Sequence, residues 1–235
     1  MNGAVRSLCV AALASVLVGC AATPSRVDPL EPFNRAMFEV NDVAEKVVIK
    51  PVVSAYTTVI PSPVRTAVSN VFGNIEDLFS AVNGLLQGKT DKAGNDLGRV
   101  MVNTLWGLGG LIDVATDAGI ERGNEDFGQT FGAWGIGQGP YLFIPFFGPT
   151  TIRDGSGFLI RVAAGPVGFI PDVPVRNSLY GVGYVDLQAQ AKEARAVVDT
   201  AALDRYRFIR NAYLQKRRYD VFDGEPPPQK EEDDE

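Results

Sequence analysis

Asp113 and Asp117 lie four residues apart, the best spacing in this chain for acid–base work. On a helix the two carboxyls would share a face, where one could move a proton and the other hold a cation. The same spacing also suits a helix cap followed by a solvated acid, and both readings stand. The sequence has no histidine, which removes Ser-His-Asp and Cys-His catalysis, imidazole metal sites and imidazole pH switching together. Arg153 precedes Asp154 and Gly155, so its planar donors could meet a phosphate or brace the local turn. Gly94-Asn95-Asp96-Leu97-Gly98 is not a phosphate loop, because it lacks the Gly-Lys-Ser/Thr ending. No activated nucleophile is found, and no catalytic residue, metal site or cofactor is expected.

A different chemistry is written at the amino terminus. One cation, Arg6, precedes an apolar run from Leu8 to Val18, and Leu17-Val18-Gly19-Cys20 follows. The run is short for a permanent membrane span and suits a secretory signal with small residues at the cut. The tetrad resembles the lipobox of bacterial lipoproteins, in which the signal is removed and the cysteine is acylated. Cys20 would then be the only cysteine of the mature chain, and an unpaired thiol in an oxidising compartment is otherwise a liability. Ala21 stands where an aspartate would resemble an inner-membrane retention signal, so the expected destination is the outer membrane, with the protein lipid-anchored and facing the periplasm.

Composition supports a folded body between two special ends. The 235 residues are 46 % apolar and 21 % charged, a balance able to build a core. Lys and Arg number 22 against 28 Asp and Glu, a net charge of −6. From Asp223 the segment DGEPPPQKEEDDE holds seven acids and one lysine, so it alone accounts for that charge. Such a chain offers no basic stripe for nucleic acid. The expected organisation is a signal peptide at 1–19, a lipidated linker at 20–27, one domain at 28–222 and a disordered acidic tail at 223–235.

The body reads as mostly α. Phe33, Met37, Val40, Ala44 and Val47 or Val48 recur at helical spacing, with Pro51 expected to end the helix. Pro61 and Pro63 start the next, which Gly73 is expected to close before Asn74 caps a further one. Leu97, Val100, Met101, Thr104 and Leu105 align on a helix capped by Thr90, which Gly107, Gly109 and Gly110 interrupt. Residues 186–218 read as helix with a break near Asp199-Thr200, and a short strand is expected around 141–147.

Between the helical regions, eight glycines from Gly128 to Gly157 alternate with Phe127, Phe131, Trp134, Tyr141, Phe143, Phe146 and Phe147. Glycine costs roughly 0.5–1 kcal/mol against alanine inside regular structure, so this density marks sharp bends or close approaches. Its aromatics could plug a core or meet lipid or another protein.

Several segments together resemble one family. DPLEPFNRAMFEVND, VRTAVSNVFGNI, Leu85-Leu86-Gln87-Gly88, NTLWGLGGLIDVA and FGQTFGAWGIGQGPYLFIPFFGPTTIRD are similar to the MlaA (VacJ) family of outer-membrane lipoproteins, from about Asp28 to Asp154 and more loosely to Tyr219. The resemblance implies a compact, ring-like helical domain with interfacial amphipathic helices, a hairpin-like Gly/aromatic segment and an amphipathic channel. It also implies a non-enzymatic role: removing mislocalised phospholipid from the outer leaflet, bound to a porin trimer, and passing it to the soluble periplasmic carrier MlaC.

Elementary energetics shows why such a device is needed. A phospholipid with roughly 30 chain methylenes would cost on the order of 25 kcal/mol to bring naked into water, and its charged head resists hydrocarbon. Phe131, Trp134, Tyr141, Phe143, Phe146 and Phe147 are the lipid-contact candidates, with Trp134 and Tyr141 at an interface and Phe143, Phe146 and Phe147 facing acyl tails. Arg153 is the headgroup candidate. Two other functions remain open: a porin-associated structural lipoprotein without lipid passage, and a carboxylate-based hydrolase of lipid or glycan.

Overall fold

The computed structural model describes residues 28–228; the signal segment and Cys20 lie outside them. Helix α1 (Glu31–Ala44) passes through a π-helical turn (Glu45–Ile49) into α2 (Lys50–Val59). Then come α3 (Ser62–Leu86), α4 (Thr90–Leu105), the short α5 (Val114–Asp117) and α6 (Phe127–Ala133). An antiparallel hairpin, β1 (Tyr141–Ile144) and β2 (Gly148–Thr151), precedes α7 (Ile152–Ala164) and a 3-10 turn (Pro166–Phe169). Helices α8 (Val173–Gln190), α9 (Lys192–Ala201) and α10 (Arg205–Val221) complete the chain. The mostly α class and the strand near Tyr141 are as expected.

Several boundaries differ from the sequence reading. Pro51 does not stop its helix: the Lys50 amide bonds back to the Glu45 carbonyl, five residues away, and this widened turn carries the chain past a residue with no N–H. Gly73 does not close α3 either. The helix runs through it while the Arg122 guanidinium rests against its bare face, 3.1 Å from where a β-carbon would stand. Thr90 lies inside α4 rather than capping it. The break in the last helical region falls at Ala202–Asp204, with Asp204 accepting from the Arg207 amide as N-cap of α10.

The larger surprise is which way the helices face. On α1 and the π turn the apolar stripe lies outward, with Phe33, Val40 and Val47 about half or more exposed, while Asn34, Glu45 and Ile49 point in. On α4, Leu97, Met101 and Leu105 are exposed, and Asp96, Arg99 and Asn103 are buried. Among the described residues seventeen polar or charged side chains are buried against eight apolar ones, so the interior is a polar network with a small aromatic core of Tyr141, Phe143 and Tyr206. Apolar surface on this scale marks contact with lipid or protein.

Packing contacts form a closed circuit. The α1–α2 run meets β1 at one end and α8 at the other; α8 meets α3, α3 meets α6, α6 meets α10, and α10 returns to the hairpin through β2. Ion pairs cross-link the elements. Arg99 Nε reaches Asp77 Oδ2 at 2.9 Å and Arg99 Nη2 reaches Asp113 Oδ2 at 2.9 Å, joining α3, α4 and the start of α5. Arg217 of α10 bridges Asp126, the N-cap of α6, and Asp154 of α7. Burial favours the neutral acids, but Arg217 holds both carboxyls below their ordinary range. Where α6 crosses α7 the backbones touch, since a β-carbon on Gly157 would meet the Gly128 nitrogen at 2.7 Å.

The carboxyl-terminal segment is fixed where a solvated tail was expected to begin. Asp223 pairs with Lys89 and Lys92, each at 2.6 Å, and both lysines also share the buried Glu125.

Arg99→Ala would leave Asp77 buried without this partner and should cost about 3–5 kcal/mol. Lys216→Ala, in an exposed pair with Asp220, should cost less than about 1 kcal/mol. Thermal unfolding in detergent ranks the two; equal losses would show that the buried pair is not a keystone.

Candidate functional site

The hairpin is held in place by amide side chains from α1. Asn34 Nδ2 donates to the Tyr141 carbonyl at 3.0 Å, and Asn34 Oδ1 accepts from the Phe143 amide at 2.9 Å. Two helical turns later, Asn41 Oδ1 accepts from the Phe146 amide at 2.9 Å. These asparagines do for β1 what a neighbouring strand would do. At the tip, Phe146 adopts φ of +70°, a conformation a bulky residue rarely takes. Asn41 on its nitrogen and Tyr184 Oη, donating to its carbonyl at 2.8 Å, keep it there.

The strand's two-residue period sorts the aromatic candidates. Tyr141 and Phe143 share one face and are almost fully buried against Phe38, Tyr206 and Tyr213. The expectation that Tyr141 sits at an interface and Phe143 faces acyl tails is therefore corrected: both are core. Phe146 and Phe147, beyond the strand, are 45 % and 64 % exposed. Phe131 and Trp134 pair with each other at 6.0 Å, and the Trp134 indole N–H donates to the Leu86 carbonyl.

Arg153 is corrected as well. It is buried, and its Nε donates to the neighbouring Asp154 at 2.9 Å, within the cluster that Arg217 and Tyr213 complete. It braces the junction of α6, α7 and α10 instead of meeting a headgroup.

Asp113 and Asp117 do not form a working pair. Asp113 caps α5 and accepts from Arg99, Asn103 and Thr116. Burial would raise its carboxyl, yet the hydrogen bonds from Thr116, Asn103 and Arg99 prevail and hold it at about 2, so it is a poor proton donor near neutral pH. Asp117 is exposed. Among the described residues no group of three or more His, Cys, Asp or Glu could hold a metal ion.

Behind the hairpin tip lies a cavity of about 280 Å³. Its apolar wall comprises Phe38, Phe143, Phe146, Phe147 and Ile209, and its charged wall Asp42, Glu45, Arg195, Asp199 and Arg205. Arg205 spans Asp42 and Asp199, at 2.7 Å each. Three of the aromatic candidates thus converge, and all of the charged groups were missed. A usable signal existed: Asn34, Asn41 and Glu45 recur at helical spacing on the face opposite the apolar stripe.

The MlaA lipoprotein family model matches residues 26–220. The chain belongs to the MlaA lipoprotein family. Among MlaA relatives, it is 34 % identical over 223 residues to the intermembrane phospholipid transport system lipoprotein MlaA of Shigella flexneri, spanning 92 % of this chain and 88 % of that one. The protein of the same name from Haemophilus influenzae is 30 % identical over 236 residues, covering 93 % and 91 %. A solved chain from work on the structural basis for maintenance of bacterial outer membrane lipid asymmetry matches with a TM-score of 0.72 at 32 % identity, over 83 % of this chain and 98 % of that one.

Within this MlaA-family chain, no single helix among the described residues is long and apolar enough to cross a membrane. The run from Glu31 to Val59 and α3 pass that test only as a pair, bent by 117°.

Asn34→Ala should release β1 from α1. Losing hydrogen bonds worth about 1 kcal/mol each should speed amide exchange at Phe143 by roughly fivefold or more. Unchanged exchange in a folded variant would show that β2 alone holds the strand.

Proposed function

We propose that this protein is a lipid-anchored outer-membrane lipoprotein that removes mislocalised phospholipid from the outer leaflet and delivers it to a soluble periplasmic carrier, without catalysing a reaction. The observation that carries this reading is the mixed lining of the cavity: aromatic side chains that reach the surface at Phe146 and Phe147, together with charged side chains. A phospholipid needs both at once, since its tails gain from apolar contact and its head must keep polar partners. The outward-facing valines, leucines and phenylalanines support a seat within lipid, held by surface contact as well as by acyl chains. Family membership and the relatives' phospholipid-transport name support the same cargo.

In this reading residues 1–19 are the signal, Cys20 carries the acyl chains, and residues 28–222 form the lipid-handling body. The porin trimer and the carrier MlaC are the proposed protein partners, and the apolar exterior offers ample surface for the former. The hydrolase reading loses its acid, because Asp113 is committed to Arg99 and to capping α5.

Photo-crosslinking residues placed at Phe146 and Phe147 should capture phospholipid in intact membranes, whereas the same probe at Tyr141, buried and outside the cavity lining, should capture only its own chain. Adducts to protein alone at all three positions, with the protein folded and membrane-bound, would favour the porin-associated structural role. Separately, Cys20→Ser should accumulate as an uncleaved precursor, and a mature, unmodified residue 20 in the wild type by mass spectrometry would overturn the anchor.

A further inference from the structure

The charged wall of the cavity contains two groups that the protein leaves without full partners. Glu45 opens the π-helical turn, and such turns concentrate at functional positions. It is 7 % exposed, yet its Oε1 accepts no hydrogen bond among the described residues. Its ion-pair partner Lys50 stands 3.6 Å away, beyond hydrogen-bond reach, and lies equally far from Asp199. A buried carboxylate oxygen without a donor is costly and rare in folded proteins.

Arg195 of α9 lines the same cavity with the opposite charge. Its guanidinium donates to Gln188 Oε1, and among the described residues it pairs with no carboxylate. Arg205 differs, being answered by Asp42 and Asp199. Tyr184 braces the aromatic tip of the cavity, and burial raises its phenol above the ordinary value. That hydroxyl donates to the Phe146 carbonyl.

The complementary ligand carries a cation with N–H donors close to an anion, joined to an apolar body. We propose that the cavity is a headgroup site selective for phospholipids whose phosphodiester bears a primary ammonium, with Glu45 Oε1 accepting from the ammonium and Arg195 donating to the phosphate. This rests on the phospholipid reading above and adds a preference to it. Phosphatidylcholine keeps the positive charge but has no N–H, and phosphatidylglycerol has no cation, so each fails one half of the site.

The test uses the full chain, stripped of lipid in detergent. It is incubated with mixed micelles of phosphatidylethanolamine, phosphatidylcholine and phosphatidylglycerol in equal parts with matched acyl chains, and the lipid kept after re-isolation is measured by mass spectrometry. The ethanolamine lipid should be enriched about tenfold, as expected for one charge-assisted hydrogen bond. With the mono- and dimethylated ethanolamine lipids, retention by the wild type should fall at each methylation. Glu45→Gln should bring the ratio towards one, and Arg195→Gln should lower retention of all three lipids. Should Glu45→Gln not fold, the methylation series decides alone. Equal retention of the three lipids by the wild type, or a preference that survives in Glu45→Gln, overturns the headgroup assignment while leaving the phospholipid reading standing. A wild-type protein that keeps no phospholipid overturns both.

Discussion

A guanidinium keeps its proton throughout the physiological range, so a chain that buries one must bring carboxylates to it. Arg99 and Arg217 impose that requirement here. Asp77, Asp113, Asp126 and Asp154 come to them from separate elements, and the elements are thereby fixed to one another. With the interior given over to these groups, the apolar stripes of α1, α3 and α4 have nowhere to go but outward. The apolar exterior and the charged lining of the cavity are thus two results of one arrangement.

Much of the architecture was legible in the chain. The prolines before α3, the glycines after α4 and the acidic cap of α5 act through local backbone chemistry, which a sequence displays directly. Pro51 and Gly73 misled because each has two uses. A proline can be carried by a widened turn, and a helical glycine can make room for a guanidinium. Which of these applies depends on residues far along the chain.

The facing of the helices was not legible, because periodicity finds an apolar stripe without saying whether protein or lipid covers it. The site suffered similarly. Tyr141 and Phe143 differ from Phe146 and Phe147 only in belonging to a strand whose inner face is set by Asn34, more than a hundred residues earlier. Arg153 was decided by Asp154 beside it and by Arg217, which reaches the same carboxylate from the last helix. Glu45 and Arg195 gave no joint signal, being brought together only when α9 folds back towards the π turn. What the sequence did display was polar residues recurring where an ordinary soluble helix would place its core, and in this chain that pattern marks the inside.

The use of asparagine to complete β1 also bears on how the hairpin behaves among strangers. An open strand edge invites any extended segment to add itself, the route to strand exchange and aggregation. Along Tyr141 and Phe143 that invitation is withdrawn, since Asn34 already occupies the carbonyl and the amide that an incoming strand would seek. On its β1 side the hairpin therefore presents a neighbour with side chains and not with open backbone.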